Sequence, residues 1–218
     1  MCGIIGYLGK ENAIPIVFEG LKRLEYRGYD SWGIGSISEK RLKIIKQTGK
    51  ISEAEITKLK PSNIAIAHTR WATHGPVTQA NAHPQIDCSG HIAVVHNGII
   101  ENWQELKDRL IKNGHKFKSE TDTEVIPHLI EMSIKAGKTF TQACIDALRQ
   151  LQGSWAVLVL KEGERVMIAG RKGSPLVLGI SKHGIFASSD IPAFLEHTKQ
   201  VVYLADFDVA AISENHFS

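Results

Sequence analysis

The stretch CGIIGYLG, residues 2–9, sets a short apolar run between glycines directly after a cysteine. Gly3 to Gly9 reads as a buried strand. Working outward from it, Ile14, Val17, Phe18, Leu21 and Leu24 fall at helical spacing, with Pro15 tolerable in the first turn. That helix is expected to run until near Gly28. Trp32 to Ile37 and Leu42 to Gln47 read as two strands joined by a polar turn around Glu39 and Lys40. Ser52 to Lys60 reads as a short exposed helix stopped by Pro61.

Asn63 to His68 and Ile92 to His96 are again strand-like, and the polar stretch between them, with Gly75, Pro76, Pro84 and Gly90, reads as a long loop. Asn102 can cap a helix to about Asn113, and Thr121 or Asp122 can cap another reaching Ala136. Pro127 inside the second points to a kink or a later start. A third helix, Thr141 to Leu151, precedes strands at Trp155 to Leu160, Val166 to Ala169, Leu176 to Ile180 and Val201 to Leu204. Strands in pairs and runs, with helices in a central cluster, imply mixed or antiparallel sheets with helices packed on them, not alternating βαβ units. No repeat, low-complexity tract or linker interrupts the chain, so one domain is expected.

Bulk properties narrow the function classes. The 218 residues suffice for one domain with a substantial core, and 43% hydrophobic with 22% charged residues is ordinary globular composition. A formal charge of +3, from 26 basic and 23 acidic side chains, gives no field that implies nucleic acid. Three widely spaced cysteines (Cys2, Cys88, Cys144) without a CxxC argue against a disulfide framework or a cysteine-rich zinc site and suit a reducing compartment. The first ten residues lack the basic n-region of a secretory signal, and no apolar stretch approaches the roughly 20 residues of a membrane helix. Cytoplasm, with no membrane partner, is the expectation.

Cys2 carries the most suggestive chemistry. Once Met1 is removed, its thiol shares one residue with a free α-amine whose unperturbed pKa, about 7.7–8.0, lets it accept a proton near neutrality. Nucleophile and base would then sit together. Position alone does not decide this, since a second-residue cysteine arises readily by chance. The histidines supply no metal signature: His68 to His74 and His91 to His96 lack zincin spacing, and no HExxH occurs. Most are expected to be surface or structural, and pairing of Cys2 with one of them, as in a Cys-His hydrolase, stays a minor alternative.

Further motifs follow in order: LEYRGYDS (24–31), AHTRWATHG (67–75), NAHP (81–84), HNGIIEN (96–102), SETDTE (119–124), GSPLVLG (173–179) and ASSD (187–190). With CGIIGYLG they run over nearly the whole chain, and the set resembles the N-terminal-nucleophile glutaminase domain of glucosamine-6-phosphate synthase, an amidotransferase family. EYRGYDS and RWATHG favour it over the phosphoribosylpyrophosphate amidotransferases, which read closer to HRGQ and RYSTAG. The resemblance implies an α+β fold, a four-layer α/β/β/α sandwich of the N-terminal-nucleophile hydrolase type, spanning residues 1–218. The family's sugar isomerase half would follow, and this chain ends at Ser218. It implies hydrolysis of L-glutamine to L-glutamate and ammonia, no cofactor or metal, and a homodimer through the isomerase half.

The same resemblance implies the residue roles. Cys2 would attack the glutamine carboxamide, and Asn97 with the backbone N–H of Gly98 would form the oxyanion hole. Arg27 and Gly28 would support the nucleophile. Arg70 would clamp the α-carboxylate of glutamine and Asp122 its α-ammonium, while Trp71, Thr73 and His74 would lie on a loop that closes over the substrate. Plainer readings stand beside these: Asn97-Gly98 as a turn, Asp122 as a helix cap, Arg27 as a cation at a helix C-terminus. One departure stands out. The family reads DSAG where this chain has Asp30-Ser31-Trp32-Gly33, which puts a large side chain where alanine is usual, implies either looser local packing or an altered pocket, and motivates a glutamine-binding module without turnover as a second reading.

Overall fold

The computed structural model describes residues 2–54, 56, 59–72 and 75–218. It opens on β1 (Gly3–Gly9), buried along its whole length. α1 (Ala13–Lys22) follows, capped by Asn12, whose Oδ1 accepts from the Ile14 N–H at 3.3 Å. The helix stops at Lys22, short of Gly28, because the chain tightens into a 3-10 turn at Glu25–Arg27. That turn lays Gly28 against the backbone of Arg70, where an added Cβ would sit 2.7 Å from the Arg70 carbonyl carbon. β2 (Ser31–Ser38) and β3 (Arg41–Thr48) make the expected hairpin, and both turn residues have positive φ, 53° at Glu39 and 62° at Lys40, which matches the twist of the strands.

No helix fills Ser52 to Lys60 among the described residues. Ile51–Glu53 is a lone 3-10 turn, and Glu55, Thr57 and Lys58 lie outside the described residues. The segment instead applies Ile51, Ala54, Ile56 and Leu59 to the core beside α1. β4 (Ile64–Arg70), β5 (Gln85–Ile86) and β6 (Ile92–Ile100) come next, then α2 (Trp103–Lys112), α3 (Val125–Lys135) and α4 (Phe140–Leu148). The rest is strand: β7 (Gly153–Lys161), β8 (Met167–Lys172), β9 (Val177–Ser181), β10 (Gly184–Ser188), β11 (Gln200–Tyr203) and β12 (Val209–Ile212).

Three expected caps resolve differently. Asn102 does not cap α2; its amide bridges the turn before β7, donating to the Gln150 carbonyl at 2.9 Å and accepting from the Gln152 N–H at 3.0 Å. Neither Thr121 nor Asp122 caps α3, since a 3-10 turn at Asp122–Glu124 intervenes. The later start places Pro127 in the first turn, where its missing N–H is harmless. Asn97-Gly98 is not a turn either: both residues continue β6 and pair with Ala156 and Trp155 of β7.

The strands form two antiparallel sheets, one of seven in the order β11-β9-β10-β1-β4-β2-β3 and one of five in the order β12-β8-β7-β6-β5. Period-two alternation splits their side chains among three cores. Ile4 and Leu8 of β1, Ile64 and Ile66 of β4, and Ala93 and Val95 of β6 meet between the sheets. Ile5, Tyr7, Ala65 and Ala67 point the other way, onto α1. Val94, Val157 and Val159 point from the smaller sheet onto α2, α3 and α4. The result is helix, sheet, sheet, helices: the α/β/β/α order that the resemblance implied. No helix among the described residues is long and apolar enough to cross a membrane.

Trp32 belongs to the outer core. Its indole is 1% exposed and meets Phe18 of α1 edge-on at 6.4 Å, on the far side of the larger sheet from the inter-sheet space. The extra volume therefore fills a helix–sheet contact and leaves the pocket unaltered.

Candidate active site

The inner columns of the two sheets change from apolar to polar at one end of the sandwich. Ile4 extends two residues back to Cys2, Ile64 and Ile66 extend to His68 and Arg70, and Ala93 and Val95 extend to Asn97. Ile4 of β1 is paired with His68 of β4, which brings Cys2 alongside Arg70 at that end. Strand parity thus gathers residues 2, 68, 70 and 97 from three separate segments.

Cys2 is half-buried, and its sulfur is gripped by one peptide: the Trp71 N–H donates to Sγ at 3.2 Å and the Trp71 carbonyl lies 3.6 Å away. Burial pushes the thiol pKa up, while the Trp71 N–H pulls it partly back. The resting sulfur is therefore a thiol, and attack requires a base to take its proton. The Cys2 carbonyl accepts from Asn97 Nδ2 at 2.9 Å and from Arg27 Nε at 3.1 Å. Arg27 is itself braced by Asp190, with Nη1 to Oδ2 at 3.0 Å, and Tyr26 donates to the same oxygen at 2.7 Å. Thr69 Oγ1 donates to the Gly28 carbonyl, fixing the turn that carries Arg27.

Asn97 is oriented from behind. Its Oδ1 faces His68 Nε2 at 3.1 Å, which turns Nδ2 toward Cys2. An amide nitrogen has two protons, so one can hold the Cys2 carbonyl and the other remains for a second acceptor. Gly98 follows with φ of 123°, and a Cβ there would fall 2.0 Å from the Ser154 carbonyl oxygen, so no other residue fits.

Arg70 is 3% exposed and donates to the carbonyls of Gly75 and Pro76, both at 3.3 Å, so the guanidinium anchors the loop beyond Trp71. Asp30 accepts from the Ala72 N–H in the same loop. The Trp71 ring is half exposed and meets Tyr29 edge-on at 5.4 Å. Thr73 and His74 lie outside the described residues. Asp122 is buried, and its Oδ2 accepts from the Ile100 N–H at 2.8 Å, which ties it to the end of β6.

Two cavities meet at Cys2. The smaller, about 30 Å³, is lined by Cys2, His68, Arg70, Trp71, Gly98 and Asp122 among others. The larger, about 230 Å³, runs along Arg27, Asn97, Ile99, Ser174 and Pro175. Cys2, Trp71 and Gly98 wall both. Thirty cubic ångströms holds about two waters, so the room for a larger guest lies mainly in the adjoining cavity.

Sequence reading missed three participants. His68, His83 and His96 are buried around the smaller cavity, where most histidines were expected to be surface or structural. His68 and His96 lie in the AHTR and HNG motifs and His83 in NAHP. Burial lowers the His68 pKa to about 3, helped by nearby His96, and lowers His83 well below its ordinary value, helped by His68. In the unfolded chain both protonate near pH 6.5. Between about pH 6.5 and pH 3 the unfolded state therefore binds more protons, and stability falls as pH falls, by up to about 1.4 kcal/mol per pH unit for each group. Urea midpoints at pH 7 and pH 5 should show this loss, and His68→Gln should lessen it; equal midpoints would refute it.

A family model described as a glutamine amidotransferase domain matches residues 68–196. Isomerizing glutamine–fructose-6-phosphate aminotransferases from Pyrococcus horikoshii and Methanococcus maripaludis are 52% and 50% identical over 100% and 99% of this chain. The counterpart from Thermus thermophilus is 45% identical over 98%. The chain spans about 37% of the length of the two archaeal relatives and about 35% of the third. Among solved structures, the glutamine phosphoribosylpyrophosphate amidotransferase of B. subtilis superposes with a TM-score of 0.84 at 29% identity, covering 100% of this chain and 48% of that one. With the α/β/β/α sandwich and a cysteine, an asparagine and an arginine converging at its polar end, these likenesses agree: the chain belongs to the glutamine amidotransferase domain family.

Proposed function

We propose that the domain hydrolyses L-glutamine to L-glutamate and ammonia through a γ-glutamyl thioester on Cys2. The observation that carries the reading is that Cys2, whose carbonyl the Asn97 amide holds, shares cavity walls with Asn97 and Gly98 beside buried Arg70 and Asp122. In this mechanism the Cys2 thiol gives its proton to the α-amine freed by removal of Met1, and sulfur attacks the carboxamide carbon. Asn97 Nδ2 and the Gly98 N–H receive the oxyanion. As the C–N bond breaks, the amine returns the proton to departing ammonia. Water, deprotonated by the same amine, then cleaves the thioester and releases glutamate. Arg70 takes the substrate α-carboxylate in a bidentate fork and Asp122 its α-ammonium. Arg27 and Gly28 hold the Cys2 backbone still, and Trp71, Thr73 and His74 close the entrance.

The names of the relatives extend the proposal. In a longer protein the ammonia would convert fructose 6-phosphate to glucosamine 6-phosphate on a sugar isomerase domain outside residues 1–218, with dimerisation through that domain. Three free cysteines favour the cytoplasm as its setting.

Intact mass and glutamate release, measured on one sample, test the reading. The expected result is a mass lower by one methionine together with glutamate formed from L-glutamine but not from amides lacking the α-groups. Glutamine binding without glutamate release would replace the enzyme by a binding module. Turnover with Met1 retained would overturn the free-amine mechanism.

A further inference from the structure

Away from this site, four potential metal ligands converge from three separate elements. Cys88 lies on the turn between β5 and β6, His115 follows the C-terminus of α2, and His128 and Glu131 stand one helical turn apart on α3. Cys88 Sγ is 3.6 Å from His115 Nδ1 and 3.5 Å from His128 Nδ1. The two Nδ1 atoms are 3.3 Å apart. Glu131 Oε2 lies 3.1 Å from His115 Nδ1 and 3.6 Å from His128 Nδ1. From these contacts we infer that Cys88, His115, His128 and Glu131 form a structural zinc site.

The spacing is the argument. A tetrahedral zinc ion with bonds of about 2.3 Å to sulfur and about 2.0–2.1 Å to nitrogen or oxygen separates its ligands by about 3.5 Å (S···N) and about 3.3–3.4 Å (N···N and N···O). The five measured edges scatter around those values. Charge agrees as well, since one thiolate and one carboxylate neutralise a dication, and both histidines bind as neutral rings.

The surroundings suit the ligands. The Lys116 N–H donates to Cys88 Sγ at 3.4 Å, favouring the thiolate. Lys135 takes the other oxygen of Glu131 at 2.7 Å, which leaves Oε2 turned inward; the Cys88 N–H also reaches Oε2, at 3.2 Å. His128 Nε2 lies 3.6 Å from Glu124 Oε1, close to a carboxylate but beyond hydrogen-bond reach. Glu124 is held in turn by the N–H groups of Lys118 and Ser119. Cys88 is exposed, which gives an ion a way in, while the other three ligands are buried. The ion would tie the β5–β6 turn to the segment that carries Asp122.

Cobalt and zinc titration of the full 218-residue chain tests this, in a Cys2→Ala background so that the active-site thiol stays silent. One zinc per chain should survive gel filtration, and Co(II) should produce a thiolate charge-transfer band in the near ultraviolet. Cys88→Ser should remove the band, and Glu131→Gln should weaken zinc binding by at least about tenfold. Zinc at a hundredfold excess over Kd should raise Tm by about 5 °C or more, an effect Cys88→Ser loses. Circular dichroism of Cys88→Ser, whose altered side chain is on an exposed turn, confirms that the fold is retained. Absence of the band, its persistence in Cys88→Ser, or zinc uptake indifferent to both substitutions overturns the site.

Discussion

Cys2→Ala is expected to lower glutamate release from L-glutamine by at least about 10⁴-fold, the scale of loss when a nucleophile is deleted. The fold should survive, since among the described residues the sulfur's hydrogen bonds go to the one Trp71 peptide and the side chain is only half-buried. A Tm within a few degrees of the parent, with tight but unproductive glutamine binding, is the signature to look for. Turnover above one per cent of the parent would sink the mechanism, because it would show that another group than the Cys2 sulfur attacks the substrate.

Asn97→Ala should cost about 10²- to 10³-fold in kcat, with KM changed by much less, because a donor aimed at the oxyanion acts mainly in the transition state. Two effects combine in that loss. One Nδ2 proton no longer meets the developing charge, and the Cys2 carbonyl keeps only Arg27 as its side-chain donor among the contacts described above. His68 Nε2 would also lose its acceptor, which costs about 1–3 kcal/mol of stability in a buried place. Denaturation and kinetics on the same variant separate these contributions. A kcat within threefold of the parent would remove Asn97 from the oxyanion hole.

Much of this was legible in the residues, for reasons that differ from element to element. β1 read cleanly because glycines bound an uninterrupted apolar run, and the β2–β3 hairpin because its polar turn separates two β-rich segments. β5 escaped because two residues carry too little periodicity, and β10 and β12, no shorter than the strands read at β9 and β11, also went unread. The helix expected at Ser52 to Lys60 failed because local propensity yielded to tertiary contacts of Ile51 and its neighbours. Asn97-Gly98 shows the same competition: a turn dipeptide by composition, it is held extended by nine paired positions between β6 and β7.

The site divides along similar lines. Cys2, Arg27, Arg70, Asn97 and Asp122 were named from ordered motifs, and the structure brings all five to the two adjoining cavities or to the residues that wall them. What the motifs concealed is which side chains hold the others in place. Whether Asp190 braces Arg27, or His68 turns Asn97, depends on contacts across 163 and 29 positions, and no local pattern encodes those. Trp32 teaches the converse. Sequence adjacency to the motif suggested looser packing or an altered pocket, and strand parity sends its ring to the opposite face.

The place of β1 in the larger sheet has a kinetic meaning. Its neighbours are β4 and β10, so one of its edges is completed only by residues 184–188. Contacts so distant along the chain close late, after large losses of loop entropy. On a ribosome adding about 5–20 residues per second, the wait from the first strand to its last partner is about 10–35 s. Throughout that interval β1 lacks one of its two neighbours, although Arg27, Trp71 and Asn97, which contact Cys2, are already made. Completion of the larger sheet thus trails synthesis of the residues that contact Cys2.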